Sequence, residues 1–189
     1  MTINPLFYYL SQIDDFRIRK GRRHRLGDVL GMVVMAVLSG RTSIKSINRF
    51  IQQHEQDLTK LFDTKHGVPA YGTLRDILTR VAFEELNKAL FSWTNQFAPF
   101  GDTTIISADG KALRSTVSDG QSTSQNFVYL VSLYDTTTKL VYSASVNENK
   151  KDNEAEVVRD MFTRLKTEYQ VDIASISARF DALHCQKKQ

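Results

Sequence analysis

Apolar residues recur three and four positions apart through the first half of this chain, then fall into short blocks and alternations through the second. The change of period predicts helices first and strands afterwards. Asn4-Pro5 opens the first helix, a capping side chain followed by proline at the first helical position. Leu6, Leu10 and Ile13 follow at helical spacing, and Asp14-Asp15 end the pattern. Leu26, Val29, Leu30, Val33, Val34, Val37 and Leu38 form a wide helical stripe that Gly40 stops. Ser43 reads as the N-cap of a helix to His54, with Ile44, Ile47 and Ile51 on one face, and Leu58, Leu61 and Phe62 continue the spacing. His66 to Pro69 is a loop. Thr73 with Asp76 resembles a weakened capping box opening a short helix that carries Leu74, Ile77, Leu78 and Val81. Leu86, Leu90, Trp93 and Phe97 mark another, with both aromatics read as core. Residues 1–98 therefore read as one helical domain, compatible with a helix-turn-helix DNA reader and equally with a plain bundle.

Pro99 and Gly101 punctuate a boundary, and residues 99–189 form the second domain. Thr103 to Ala108 is a strand that stops at Asp109-Gly110-Lys111. A polar loop, Ser115 to Asn126, separates it from Phe127 to Tyr134, a strand rich in β-branched and aromatic residues. Asp135 to Lys139 turns the chain into a third strand, Leu140 to Val146, in which Leu140, Tyr142 and Ala144 alternate with Val141, Ser143 and Ser145. Asn153 begins a helix whose buried face is Val157, Met161 and Leu165, with Val158 and Phe162 beside it. Val171 to Phe180 is the fourth strand. The order β-β-β-α-β predicts an α+β chain with a mixed sheet, in which the crossover helix sets the fourth strand parallel to the first. Their C-terminal ends then share one rim, where Asp109 and Asp181 both sit.

Bulk composition changes little: 189 residues, 41% hydrophobic and 24% charged, describe an ordinary globular protein. Charge adds more. The net charge is +4, and Arg17, Arg19, Lys20, Arg22, Arg23 and Arg25 crowd one acid-free stretch with His24. Such a segment is either a solvated linker or a phosphate-contacting one that binds DNA with salt-sensitive affinity. The single cysteine, Cys185, makes no internal disulfide, which with the absence of a signal-peptide pattern predicts a cytoplasmic setting. The most apolar run, Val29 to Leu38, is far below the roughly 20 residues of a membrane span, so no membrane partner is expected.

Two aspartates on one sheet rim suit Mg²⁺ or Mn²⁺, which prefer hard oxygen ligands. Two such ions roughly 3.5–4 Å apart activate the attacking and leaving oxygens of a phosphoryl transfer, and a third acid normally helps hold them. Taken singly, Asp109 before Gly110 and Asp181 at a strand end are equally turn residues. Lys111 is a phosphate contact or a solvated cation. His184 and Cys185 have no partner pair at zinc spacing. Glu154 suits the helix macrodipole.

Five blocks carry a family resemblance: Arg22 to Gly40 (RRHRLGDVLGMVVMAVLSG), Pro69 to Arg75 (PAYGTLR), Ala108 to Arg114 (ADGKALR), Asn153-Glu154, and Asp181 to Lys187 (DALHCQK). In these the chain resembles the H-repeat-associated branch of bacterial insertion-sequence transposases, of the DDE group. The resemblance implies an N-terminal DNA-binding helical region and a truncated RNase H-like β-β-β-α-β domain. It also implies that Asp109 and Asp181 are the first two acids of the DDE triad, serving Mg²⁺-dependent cleavage and strand transfer at element ends. The family's catalytic Glu lies beyond the second aspartate, and Glu154 precedes Asp181. Arg179, two residues before Asp181, shares its face of the sheet and opposes a divalent cation. The expectation is a truncated transposase that binds DNA and is catalytically inactive alone. The alternatives are a DNA-binding regulator acting through element ends, a homo-oligomer or an intact transposase, and a nonfunctional remnant.

Overall fold

The structure, a computed structural model, describes residues 5–97, 99, 104–113, 116, 127–148 and 154–179. The chain divides into two compact units, residues 1–93 and 94–189, so the division falls inside a helix.

The first unit is helical: α1 (Pro5–Ser11), α2 (Leu26–Leu38), α3 (Ile44–Gln53), α4 (Glu55–Phe62), α5 (Tyr71–Arg80) and the start of α6 (Phe83–Phe97). Leu6, Leu10 and Ile13 are buried, as their spacing predicts, and α1 packs on α2. That packing is close because Gly27 has no side chain. A Cβ there would lie 2.7 Å from the Ser11 Cα. Gly40 ends α2 at φ +80°, a left-handed conformation in which glycine carries no steric penalty. After it, Ser43 caps α3 reciprocally: the Ser46 amide donates to the Ser43 hydroxyl at 3.2 Å, and the Ser43 amide donates to the Ser46 hydroxyl at 3.1 Å.

Three expectations need correction. Val37 and Leu38, read as part of the α2 stripe, are 52% and 81% exposed, whereas Met32 and Ala36 are fully buried. A helix this apolar on every side does not show by periodicity which face its neighbours, α1 and α3, will cover. Next, α5 begins at Tyr71 with Ala70 as an N-cap that supplies no side-chain bond. Thr73 is therefore inside the helix, and Asp76 pairs with Arg80 one turn on, at 3.1 Å. Finally, Ala89 and Phe91 are buried in α6 and Leu90 is 41% exposed.

The second unit is built on β1 (Ile105–Ala112), β2 (Val128–Asp135), β3 (Val141–Glu148), α7 (Glu154–Thr167) and β4 (Ser177–Arg179). The sheet order is β3-β2-β1-β4, with β1 antiparallel to β2 and parallel to β4. The β-β-β-α-β order is that of the RNase H-like arrangement. α7 lies against β2 and β3, where Val157, Val158, Met161 and Leu165 are buried along with Tyr129, Val131 and Leu133 of β2. Strand β2 alternates without a break between half-buried and buried positions.

The remaining strands differ from expectation. β1 does not stop at Asp109-Gly110; it continues to Ala112 because β2 pairs with it through Asp109↔Ser132, Gly110↔Val131 and Lys111↔Leu130. β3 loses its alternation at an irregularity: Leu133 faces Ser143 and Tyr134 faces Val141, so Tyr142 is the extra residue and Tyr142 and Ser143 are buried in succession. Of the predicted strand Val171 to Phe180, the described residues 171–179 are strand only over Ser177–Arg179. A 3-10 turn, Ile173–Ser175, precedes it, with the Ala174 amide donating to the Asp172 carboxylate at 3.0 Å. The loop predicted over Ser115 to Asn126 lies outside the described residues apart from Thr116. Among the described residues no helix is long and apolar enough to cross a membrane.

Substituting Gly27→Ala should cost the helical unit about 1–3 kcal/mol, because the new methyl meets backbone that cannot rotate away. Urea unfolding followed by circular dichroism checks this; an unchanged midpoint would refute the close approach.

Candidate nucleic-acid interface and carboxylate site

The basic stretch is a built loop. Asp15 folds back on Arg17, its carboxylate accepting the Arg17 amide at 3.1 Å, Nε at 2.9 Å and Nη2 at 2.8 Å. Arg17 Nη2 also donates to the His24 carbonyl at 2.7 Å. Arg22 closes the loop from outside, donating from Nε to the Arg17 carbonyl at 2.6 Å and from Nη2 to the Asp15 carbonyl at 2.7 Å. Arg25 ties the exit, with Nε on Asp28 at 2.7 Å and Nη2 on the Phe62 carbonyl at 2.8 Å. The Arg80 guanidinium covers the Phe16 ring at 4.8 Å, fixing the loop to α5.

The six cations of the basic stretch thus divide. Arg17 is only 4% exposed, and its guanidinium holds the loop's backbone and Asp15. Arg22 and Arg25 make internal bonds yet keep much of their side chains in water. Arg19, Lys20 and Arg23 are exposed, the first two in a 3-10 turn, Arg19–Gly21.

Electrostatics follow from this packing. The Arg17 fork holds the Asp15 carboxyl below the usual carboxylate range, against the opposing effect of burial. Burial, then the positive charges of Arg23, His66 and Arg17, push the His24 imidazole below its ordinary value. Arg17 Nη1 and His24 Nδ1 are both buried without a protein partner.

On the sheet, Asp109 is exposed in β1, with the Ser132 hydroxyl donating to its carbonyl at 3.4 Å. Ser107, Asp109 and Lys111 share one face by the two-residue period. Ser107 is the ladder partner of Arg179, so that guanidinium belongs to the same face. Asp181 lies outside the described residues, as do His184 and Cys185, and so does the Glu154 side chain. The other sheet acids stand elsewhere. Asp135 is buried on the α7 side; burial raises its carboxyl, but bonds from the Thr137 amide and Thr138 hydroxyl, each 2.8 Å, outweigh that and lower it. Glu148 pairs opposite Val128 on the outer strand. Among the described residues no three His, Cys, Asp or Glu side chains gather to hold a metal. Asp109 can supply one oxygen ligand to Mg²⁺, and one carboxylate does not make a site.

A second group of cations is not marked by any dense run in the sequence. Arg41, Lys45 and Arg49 are exposed, four positions apart, and Val29 to His54 contains no acid. The signal was available as an acid-free span, hidden because its cations are spaced and not clustered.

Replacing Arg17 by Met should destabilise the helical unit by about 3 kcal/mol, since Asp15 would lose the guanidinium fork and the His24 carbonyl its donor. His24 binds its proton less readily when folded, so its contribution is complete above the unfolded value near 6.5 and is lost as pH falls below it. Urea midpoints measured from about pH 7.5 to about pH 5 should fall in wild type and fall less in His24→Asn; equal slopes would exclude His24 as the source.

Known proteins resemble this chain along its whole length. Residues 7–94 match the family described as "DDE_Tnp_1-associated". The "H repeat-associated putative transposase YbfD" of Escherichia coli K12 is 25% identical over 99% of this chain and 70% of its own length. The "H repeat-associated putative transposase YhhI" of the same strain is also 25% identical over 99% of the chain, which spans about half of it, 47%. The "Inactive transposase YbfQ" of that strain is 26% identical over 42% of this chain and 95% of its own length. No solved structure matches the chain. Its helical unit thus resembles the DDE_Tnp_1-associated region, and nearly its whole length is similar to H-repeat-associated transposases.

Proposed function

We propose that this chain is a DNA-binding member of that group, engaging element-end DNA through its helical unit and not cutting it unaided. The observation that carries the reading is the division of charge in the basic loop. Arg17, Arg22 and Arg25 pin the backbone, while Arg19, Lys20 and Arg23 stand in water with their charges available to phosphates.

Asp109 and Asp181 are proposed as the carboxylates of a DDE-type site. Support comes from the parallel ladder: Asp109 follows Ser107 by two residues, Asp181 follows Arg179 by two, and Ser107 and Arg179 are partners. Lys111 is proposed as a phosphate contact on the same face. That face also carries the Arg179 charge, which repels a divalent cation and so supports inactivity. A second role uses the same surface. Because similarity to longer relatives runs through 99% of this chain, it would compete with such a relative for the same DNA or assemble with it, and so act as a regulator.

Supercoiled plasmid incubated with Mn²⁺ should stay uncut by the wild-type protein; metal-dependent nicking that disappears in Asp109→Ala would overturn the inactive reading. Substituting Arg19, Lys20 and Arg23 together by Gln should flatten the salt dependence of DNA binding by about 2–3 in log–log slope. An unchanged slope would remove the loop from the interface.

A further inference from the structure

The exposed face of α3 is a row of unneutralised cations with no structural use. Lys45 and Arg49 are one turn apart, about 6 Å along the axis, and Arg41 precedes them in the turn from α2. Among the described residues none of the three is held by an ion pair. Like charges one turn apart weaken an isolated helix. α3 withstands this because Ile47 and Ile51 bury its opposite face and Ser43 caps its start. Gln53 extends the polar face by a further turn.

The approach to α3 has a recognisable shape. α2 packs on α3, and a short turn containing Gly40 at φ +80° joins them. Two packed helices joined through a glycine turn, the second with a cationic and amide-bearing face in water, have the connectivity of the pair with which helix-turn-helix proteins enter a DNA groove. We infer that α3 is the helix that contacts duplex DNA, with Arg41, Lys45 and Arg49 seating it on phosphates. This rests on the DNA-binding reading above and adds a surface separate in sequence from the basic loop.

The test uses the full chain, a mixed-sequence 30-base-pair duplex and fluorescence anisotropy across a salt series. Lys45→Gln with Arg49→Gln should weaken binding at least tenfold near 0.1 M salt and flatten the log–log slope by about 2, since each phosphate left unneutralised removes about 0.9. Lys60→Gln with Lys65→Gln removes the same charge from exposed positions elsewhere in the helical unit and should leave the slope unchanged. All four side chains are exposed, so thermal melts should match wild type. If the two double variants behave alike, net charge alone is acting and the assignment to α3 falls. If the Arg19, Lys20 and Arg23 variant weakens binding while the α3 variant does not, α3 is excluded and the loop stands. If wild-type protein shows no salt-dependent binding, the DNA-binding reading fails and takes α3 with it.

Discussion

A strand flanked on both sides must satisfy two rows of backbone donors and acceptors, and β1 does so in two different ways. Toward β2 its partners run antiparallel from Ile106 to Ala112; toward β4 they run parallel over Ile105 to Ser107. The parallel side requires a crossover, which α7 supplies, and α7 in turn buries one face of the sheet. The position of Asp109 is a consequence. It lies on the opposite face, beyond the last described β4 pairing, in a strand that β2 alone carries to Ala112.

The helical unit obeys a different constraint: what to do with a dense run of positive charge. Leaving six cations free on one short segment would be repulsive, and the fold reduces the problem by using three of them as backbone ties. Arg17 is the clearest case, since its fork reaches both Asp15 and the carbonyl of His24. A guanidinium can do this where an ammonium cannot, because its donors point along a rigid plane. The charges that remain outside are held on a loop with defined geometry, which would lower the entropy lost on the proposed binding of DNA.

Much of the fold was legible beforehand. The apolar stripes at Leu6, Leu10 and Ile13, the Ser43 cap and the alternation of β2 are short-range patterns, and each appears as expected. Failures occurred where locally similar options competed, and in β1 a distant strand made the choice. Thr73 lost to an earlier start at Tyr71; the Asp109-Gly110 turn signal lost to ladder pairing with Ser132 and Val131; and Val171 to Ser175 lost its strand to a turn capped by Asp172. In the basic run the charges were legible but not the packing of each side chain. Nothing in the run Arg17 to Arg25 marks Arg17 as the one that goes inside.

The sequence by itself determined the order of helices and strands, the parallel return of the last strand, and which residues carry charge. These follow from periodicity and local backbone preference, which act over a few residues. Only the tertiary structure decided which cations pin the loop and which face water, which side of α2 is covered, and how far β1 runs past Asp109. Those outcomes depend on hydrogen-bond and packing partners such as Phe62 for Arg25 and Ser132 for Asp109, far away along the chain and brought close only by folding.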